Sequence, residues 1–144
     1  MSTNLPIGLR IKDFLYHMGV KAFAGSLLDE IPVSNPRWFE IANANLFSKE
    51  LAVRDQILKA VMSKGLIDKP SVRPKIIPIV VRFLKEGTVE QRRSAVDFIL
   101  SRPDIFTADN DLLVGQLNVS LRDRDHHVAN TAEILVKKFH GEHR

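Results

Sequence analysis

Apolar residues along this chain recur at spacings of three and four, and the stretches that carry them return at an interval of about 37 to 38 residues. With Val53-Arg54, Gln91-Arg92 and Val128-Ala129 set equivalent, the next positions in register are Ile57, Ala95 and Ala132, then Ala60, Phe98 and Leu135, then Val61, Ile99 and Val136. This is one apolar face at i, i+4, i+7 and i+8, the spacing of an amphipathic helix. The same register extended toward the N-terminus aligns Trp38, Ile76 and Leu113; Phe39, Ile77 and Val114; Ala42, Val80 and Leu117; and Leu46, Leu84 and Leu121. A second helical stripe results. Pro36 and Pro74 coincide at the start of this first helix, where a missing N–H costs little.

Each unit therefore reads as two helices, A and B, joined by a few residues such as Glu86-Gly87-Thr88 or Asp123-Arg124-Asp125. Connections this short make A and B antiparallel neighbours. A helical bundle without true repeats would also show amphipathic stripes. The shared register and the coincident prolines favour repetition.

The segment Asp123-Arg124-Asp125-His126-His127-Val128-Ala129-Asn130-Thr131-Ala132-Glu133-Ile134-Leu135 resembles the core pattern of HEAT repeats. It departs at Ala129, where that family prefers arginine. The middle unit keeps Arg92, Ala95 and Phe98 but carries Glu86 and Thr88 at the acidic positions, and the first keeps Val53-Arg54 with Ser48 and Glu50. Ile76-Ile77-Pro78-Ile79-Val80 is similar to the family's first helix, which often holds a bending proline. The resemblance spans about residues 34 to 140 and extends to the related armadillo units. It implies an all-α chain: a short α-α superhelix of about three HEAT-like helical hairpins with an N-terminal capping helix. The expected organisation is a single domain over 1–144, with a cap at 1–33 and repeats at 34–68, 69–106 and 107–140.

Before the first repeat, Ile11, Phe14, Leu15, Met18 and Ala22 share one helical face, and Ser26 to Ile31 form one more turn before Pro32. A stacked array needs ends, and this segment reads as the N-terminal one. After the third B helix come only Gly141-Glu142-His143-Arg144, so the last unit is expected to be the weak end. Its Val128, Ala132, Leu135, Val136 and Phe139 are the apolar residues that would face a following unit, a partner subunit or a second copy.

At 144 residues the chain suffices for one core that buries roughly two thirds of its unfolded surface. The absence of cysteine excludes disulfides, thiolate metal sites and cysteine nucleophiles, and favours a reducing compartment. Met1 to Leu5 lacks a secretory pattern, and no apolar run approaches the roughly 20 residues that span a bilayer. A cytoplasmic location without membrane contact is expected. The net charge of +4 is unevenly placed: residues 64 to 102 hold 9 basic and 4 acidic side chains, whereas 103 to 144 hold 5 and 7.

His126-His127 after Asp123 and Asp125 superficially suggests a metal. Adjacent helical histidines point about 100° apart, however, and the acids suit the positive end of a helix better. His140 and His143 read as surface residues. No acid–base, nucleophile or phosphate-loop signature stands out, so neither catalysis nor a cofactor is expected. HEAT-like DNA glycosylases hold DNA on a basic concave face, but the likeness reaches only the repeat, and Trp38 reads as core.

The resemblance implies that the B helices line the concave side, with Asp55, Lys59, Arg93, Asp97, Asn130 and Lys137 as its solvent-facing positions. Their mixed signs favour another protein, or a larger complex, as partner. The alternative is nucleic acid bound by Arg73, Lys75, Arg82, Lys85, Arg92 and Arg93. A structural reading of Arg54 and Arg92 competes with it, in which the arginine column reaches acidic residues of adjacent turns.

Overall fold

A computed structural model describes residues 5–106 and 110–142, and, among these, every regular element is a helix. His143, the first four residues and positions 107–109 at the start of the expected third repeat lie outside them. The chain divides into two compact units, residues 1–63 and 64–144.

In the first unit, α1 (Ile7–His17) leads through a 3-10 turn (Lys21–Phe23) to α2 (Ala24–Glu30), α3 (Pro36–Asn45) and α4 (Leu51–Val61). Asn35 caps α3 by accepting the Arg37 N–H at 3.0 Å, and Pro36 takes the first helical position as the sequence predicts. Trp38 is buried. Its indole N–H, which would be costly to leave unpaired, donates to the Leu28 carbonyl at 2.9 Å, and its ring meets Phe39 edge to face.

The second unit holds α5 (Lys64–Ile67), α6 (Arg73–Glu86), α7 (Val89–Ser101), α8 (Asp111–Ser120) and α9 (His126–Glu142). Here α6 packs on α7 and α8, and α9 packs on α7 and α8. Pro78 sits inside α6, on an exposed position of that helix. The α6–α7 joint is Gly87 and Thr88. A side chain on Gly87 would press into the Phe83 carbonyl oxygen and the Gln91 side chain, so the turn can close this tightly only on glycine. Thr88 and Gln91 then form a capping box: Thr88 Oγ1 accepts the Gln91 N–H, and Gln91 Oε1 accepts the Thr88 N–H at 2.9 Å. Threonine, where the resembled pattern has an acidic residue, still supplies the side-chain oxygen that an N-cap needs. Asp125 does the same work for α9, accepting the Val128 N–H at 3.1 Å.

Most positions of the aligned columns are inside, with Ala60, Ile77, Val114 and Val136 half-buried. Ile57, Ala95 and Ala132 are each fully buried, as are Ala42, Val80 and Leu117. The stripe ends at Leu121, which is exposed although its counterparts Leu46 and Leu84 are not. A carboxylate at Ala95 or Ala132 would sit without water or partner where two helices approach closely. Ala95→Glu and Ala132→Glu should each cost more than about 3 kcal/mol. Val89→Glu, at the exposed first position of α7, should change stability by less than about 0.5 kcal/mol. Urea unfolding of the three variants checks this, and equal midpoints would contradict it.

Candidate functional site

Three surfaces present chemistry. The first is where the second unit carries the expected B-helix positions. Arg93 and Asp97 on α7, and Asn130 and Lys137 on α9, are exposed, and the helices that bear them pack together. The charges of α7 are already answered. Arg93 grips the Asp125 carboxylate through Nε at 3.0 Å, and Asp97 Oδ1 lies 2.7 Å from His127 Nε2. Lys137 reaches Glu133 one turn earlier at 3.1 Å. Asp55 and Lys59 lie one turn apart and exposed on α4 of the first unit. Sequence reading missed two apolar members of the α7 and α9 stripes, Leu100 and Ile134, both exposed. Their signal was available: Leu100 follows Arg93 by seven positions, and Ile134 lies between Asn130 and Lys137 on one side of α9.

Arg92 is engaged in the way the structural reading of its column expects. It donates from Nε and Nη2 to the two oxygens of Asp123 at 2.8 and 3.0 Å, and from Nη1 to the Gly87 carbonyl at 3.0 Å. Asp123 in turn accepts the Asp125 N–H at 2.9 Å. Burial pushes the Asp123 carboxyl up, but the Arg92 and backbone hydrogen bonds outweigh it and hold the group below its ordinary value. The Asp125 carboxyl is held at about 2, chiefly by its hydrogen bonds from Arg93 and with help from the Val128 N–H. Arg54 forms no ion pair among the described residues.

These pairs also dismantle the expected basic cluster. Arg92 and Arg93 each face a carboxylate, Arg82 lies 3.7 Å from Glu86, and Arg73 donates to the Ile67 carbonyl. Lys75 is exposed on α6. Lys85 goes elsewhere, into a cleft of about 750 Å³ at the end of the second unit where the α6–α7 and α8–α9 turns lie. Arg122 and Arg124 line the same cleft, with Val119 and Leu121 in its wall.

The third surface is α1. Its inner side is fixed to the first unit by polar contacts. Arg37 pairs with Asp13 at 2.7 Å, Asn45 donates to the Tyr16 hydroxyl at 2.7 Å, and Lys12 pairs with Glu30 at 2.8 Å. Leu9 is the buried apolar residue of the helix. Of the expected apolar face, Ile11, Phe14 and Met18 point outward, 56%, 63% and 67% exposed, and Ile7, not expected there, joins them at 69%; Leu15 is half-buried, and Ala22 lies beyond the helix in the 3-10 turn. Periods of four and three place them in one stripe. Phe14 borders a shallow cleft of about 400 Å³ shared with Arg10 and His17.

At the other end of the chain the expectation is corrected. Val128, Ala132, Leu135 and Phe139 are core residues, and Val136 is half-buried, because α9 lies against both α7 and α8. The outward apolar residues are Leu112 and Val119 on α8 and Ile134 on α9.

Among the described residues no three His, Cys, Asp or Glu side chains converge as metal ligands, and no helix is long and apolar enough to cross a membrane. Comparison with known proteins finds no matching family model, no matching curated protein and no matching solved structure.

Two expectations follow from the ionic ladder. Arg92→Met leaves Asp123, whose side chain is 9% exposed, without its partner, and should lower unfolding free energy by about 1–3 kcal/mol. Arg93→Met, at a more exposed pair, should cost less, and denaturant midpoints that reverse this order would refute the account. The Asp125 carboxyl, at about 2 against an ordinary 3.8, stabilises the fold above pH 4 and loses that contribution as pH falls from 4 through 2. The melting temperature of Asp125→Asn should accordingly fall less steeply than that of the parent chain over this window.

Proposed function

We propose that the chain is a non-catalytic protein-binding adaptor or assembly subunit, built from HEAT-like helical hairpins, whose principal docking element is α1. The apolar stripe of that helix carries the reading. Isolated exposed apolar residues are ordinary on protein surfaces, but four large ones in line on a helix fixed from behind by polar contacts form a continuous strip. Burying such side chains favours association by about 1.5–3 kcal/mol each before the entropy of docking is met. That is the energetic scale of an interface anchor.

The chemistry of the flanks narrows the occupant. Arg10 and Lys21 form no ion pair among the described residues, and Arg10 and His17 edge the cleft beside Phe14. An amphipathic helix with apolar residues at i, i+3, i+4 and i+7, bordered by Asp or Glu, complements both features. The buried columns at Ile57, Ala95 and Ala132, the side-chain caps of α7 and α9 and the Arg92–Asp123 tie support the HEAT-like reading of the hairpins. The paired state of Arg92 and Arg93 weighs against a nucleic-acid surface on the expected cluster.

Affinity capture from native extract, with quantitative mass spectrometry, tests the reading. Ile11→Glu/Phe14→Glu should deplete the specifically bound chains about tenfold, at an unchanged melting temperature, because both side chains are already exposed. The same proteins retained at the same level would overturn the α1 assignment. Sedimentation equilibrium of the parent chain alone identifies the case in which the occupant is a second copy.

A further inference from the structure

We infer that the cleft at the turn end of the second unit binds a short acidic peptide segment bearing one apolar anchor. The inference rests on the reading of the chain as a protein-binding one, but it concerns a different surface from α1.

The cleft is shaped by two turns held in fixed register. Arg92, bonded to Gly87 of one turn and Asp123 of the other, forms its rigid base. Three further cations, Lys85, Arg122 and Arg124, line it, are exposed, and have no ion-pair partner among the described residues. The acids in its wall are both engaged: Asp123 by Arg92, and Glu86 with Arg82. Counting every charged lining residue, four cations face two anions, so the cleft carries a formal excess of two positive charges. A cleft with this net positive excess favours an anionic visitor.

A plainer role exists for part of this charge. Lys85 lies in the last turn of α6, and Arg122 just beyond α8, where cations complement the negative ends of helices. That role needs no apolar neighbours. Yet Val119 and Leu121, 64% and 38% exposed, stand in the same wall, and Leu121 occupies a column whose counterparts Leu46 and Leu84 are buried. Cations around exposed aliphatic side chains suit carboxylates around an aliphatic or aromatic anchor.

The same composition argues against nucleic acid. Single strands are held by stacking bases on exposed aromatic rings along a basic track. The lining contains no aromatic residue, and Phe83, Phe98, Phe106 and Phe139 of this unit are buried.

Fluorescence anisotropy on the full chain decides the matter. The probes are a labelled peptide of Asp and Glu around a central Leu, its Gln/Asn analogue, its Leu-to-Ala analogue, and a single-stranded oligonucleotide of equal charge. The acidic Leu peptide should bind, and each peptide analogue should bind about tenfold more weakly. Arg122→Glu/Arg124→Glu should weaken the acidic peptide about tenfold in a chain that circular dichroism shows still folded, and added salt should weaken it further. Ile11→Glu/Phe14→Glu should leave the titration untouched, so failure at α1 and failure at the cleft are separable. The inference is overturned if the acidic peptide does not bind, if the Leu-to-Ala analogue binds equally well, if the oligonucleotide binds as tightly, or if charge reversal has no effect.

Discussion

Arg92 ties the second unit together. Its guanidinium spans two turns, reaching 31 residues along the chain to take both oxygens of Asp123 with one edge, and it meets the Gly87 carbonyl with the remaining amine. A planar fork can satisfy such a set without rearrangement, which a lysine at the same site could not do. The contact would be of little value if either turn were loose. Gly87 allows the first turn to close against Phe83, the Thr88–Gln91 box starts α7 at a defined residue, and the Asp125 N–H on Asp123 stiffens the second turn. Local turn chemistry thus preorganises a long-range ionic contact, which in turn fixes how α7 meets α9. Arg93 and Asp97 follow on the next positions of the same helix, reaching Asp125 and His127.

The sequence made the interior legible because burial and helical period are both local signals. Ile57, Ala95 and Ala132 are predicted at the close contacts by register alone, and all three are buried. Trp38 at a core position and proline at the first turns of α3 and α6 were equally readable, since one depends on apolar period and the other on a missing N–H. The surfaces were not legible to the same degree. A period identifies an apolar face without saying what covers it: Ile11, Phe14 and Met18 share a face as the period predicts, but Leu15 turns partly inward, and the helix is fixed from its other side by Asp13, Tyr16 and Lys12. α9 failed in the opposite sense. Its stripe was taken as an end exposed for want of a following unit, whereas α7 and α8 suffice to bury it.

Charge counting misled for a different reason. Six basic residues close in sequence suggest one patch, but adjacent helical positions diverge by about 100°, and Arg82, Arg92 and Arg93 each meet a carboxylate while Arg73 turns to the Ile67 carbonyl. Arg92 and Arg93 find theirs two residues apart in a single turn. Arg122 and Arg124 flank the acid that Arg92 takes, so Asp123 is consumed and its neighbours are left facing solvent. No composition window would show that exchange, because it occurs between residues some 30 positions apart.

The same exchange shapes the electrostatics of the surface. Among the described residues, Arg37 and Arg102 each hold two acids, and Asp97 pairs with His127. Pairing leaves the net charge of +4 unchanged but decides where it is expressed, on the cations that no carboxylate meets. Where that residual charge coincides with uncovered apolar side chains, at α1 and at the turn-end cleft, long-range attraction and short-range burial act on the same partner. Screening limits the first to about 8 Å at physiological salt, so it selects and orients, while the apolar contacts determine how long the partner stays.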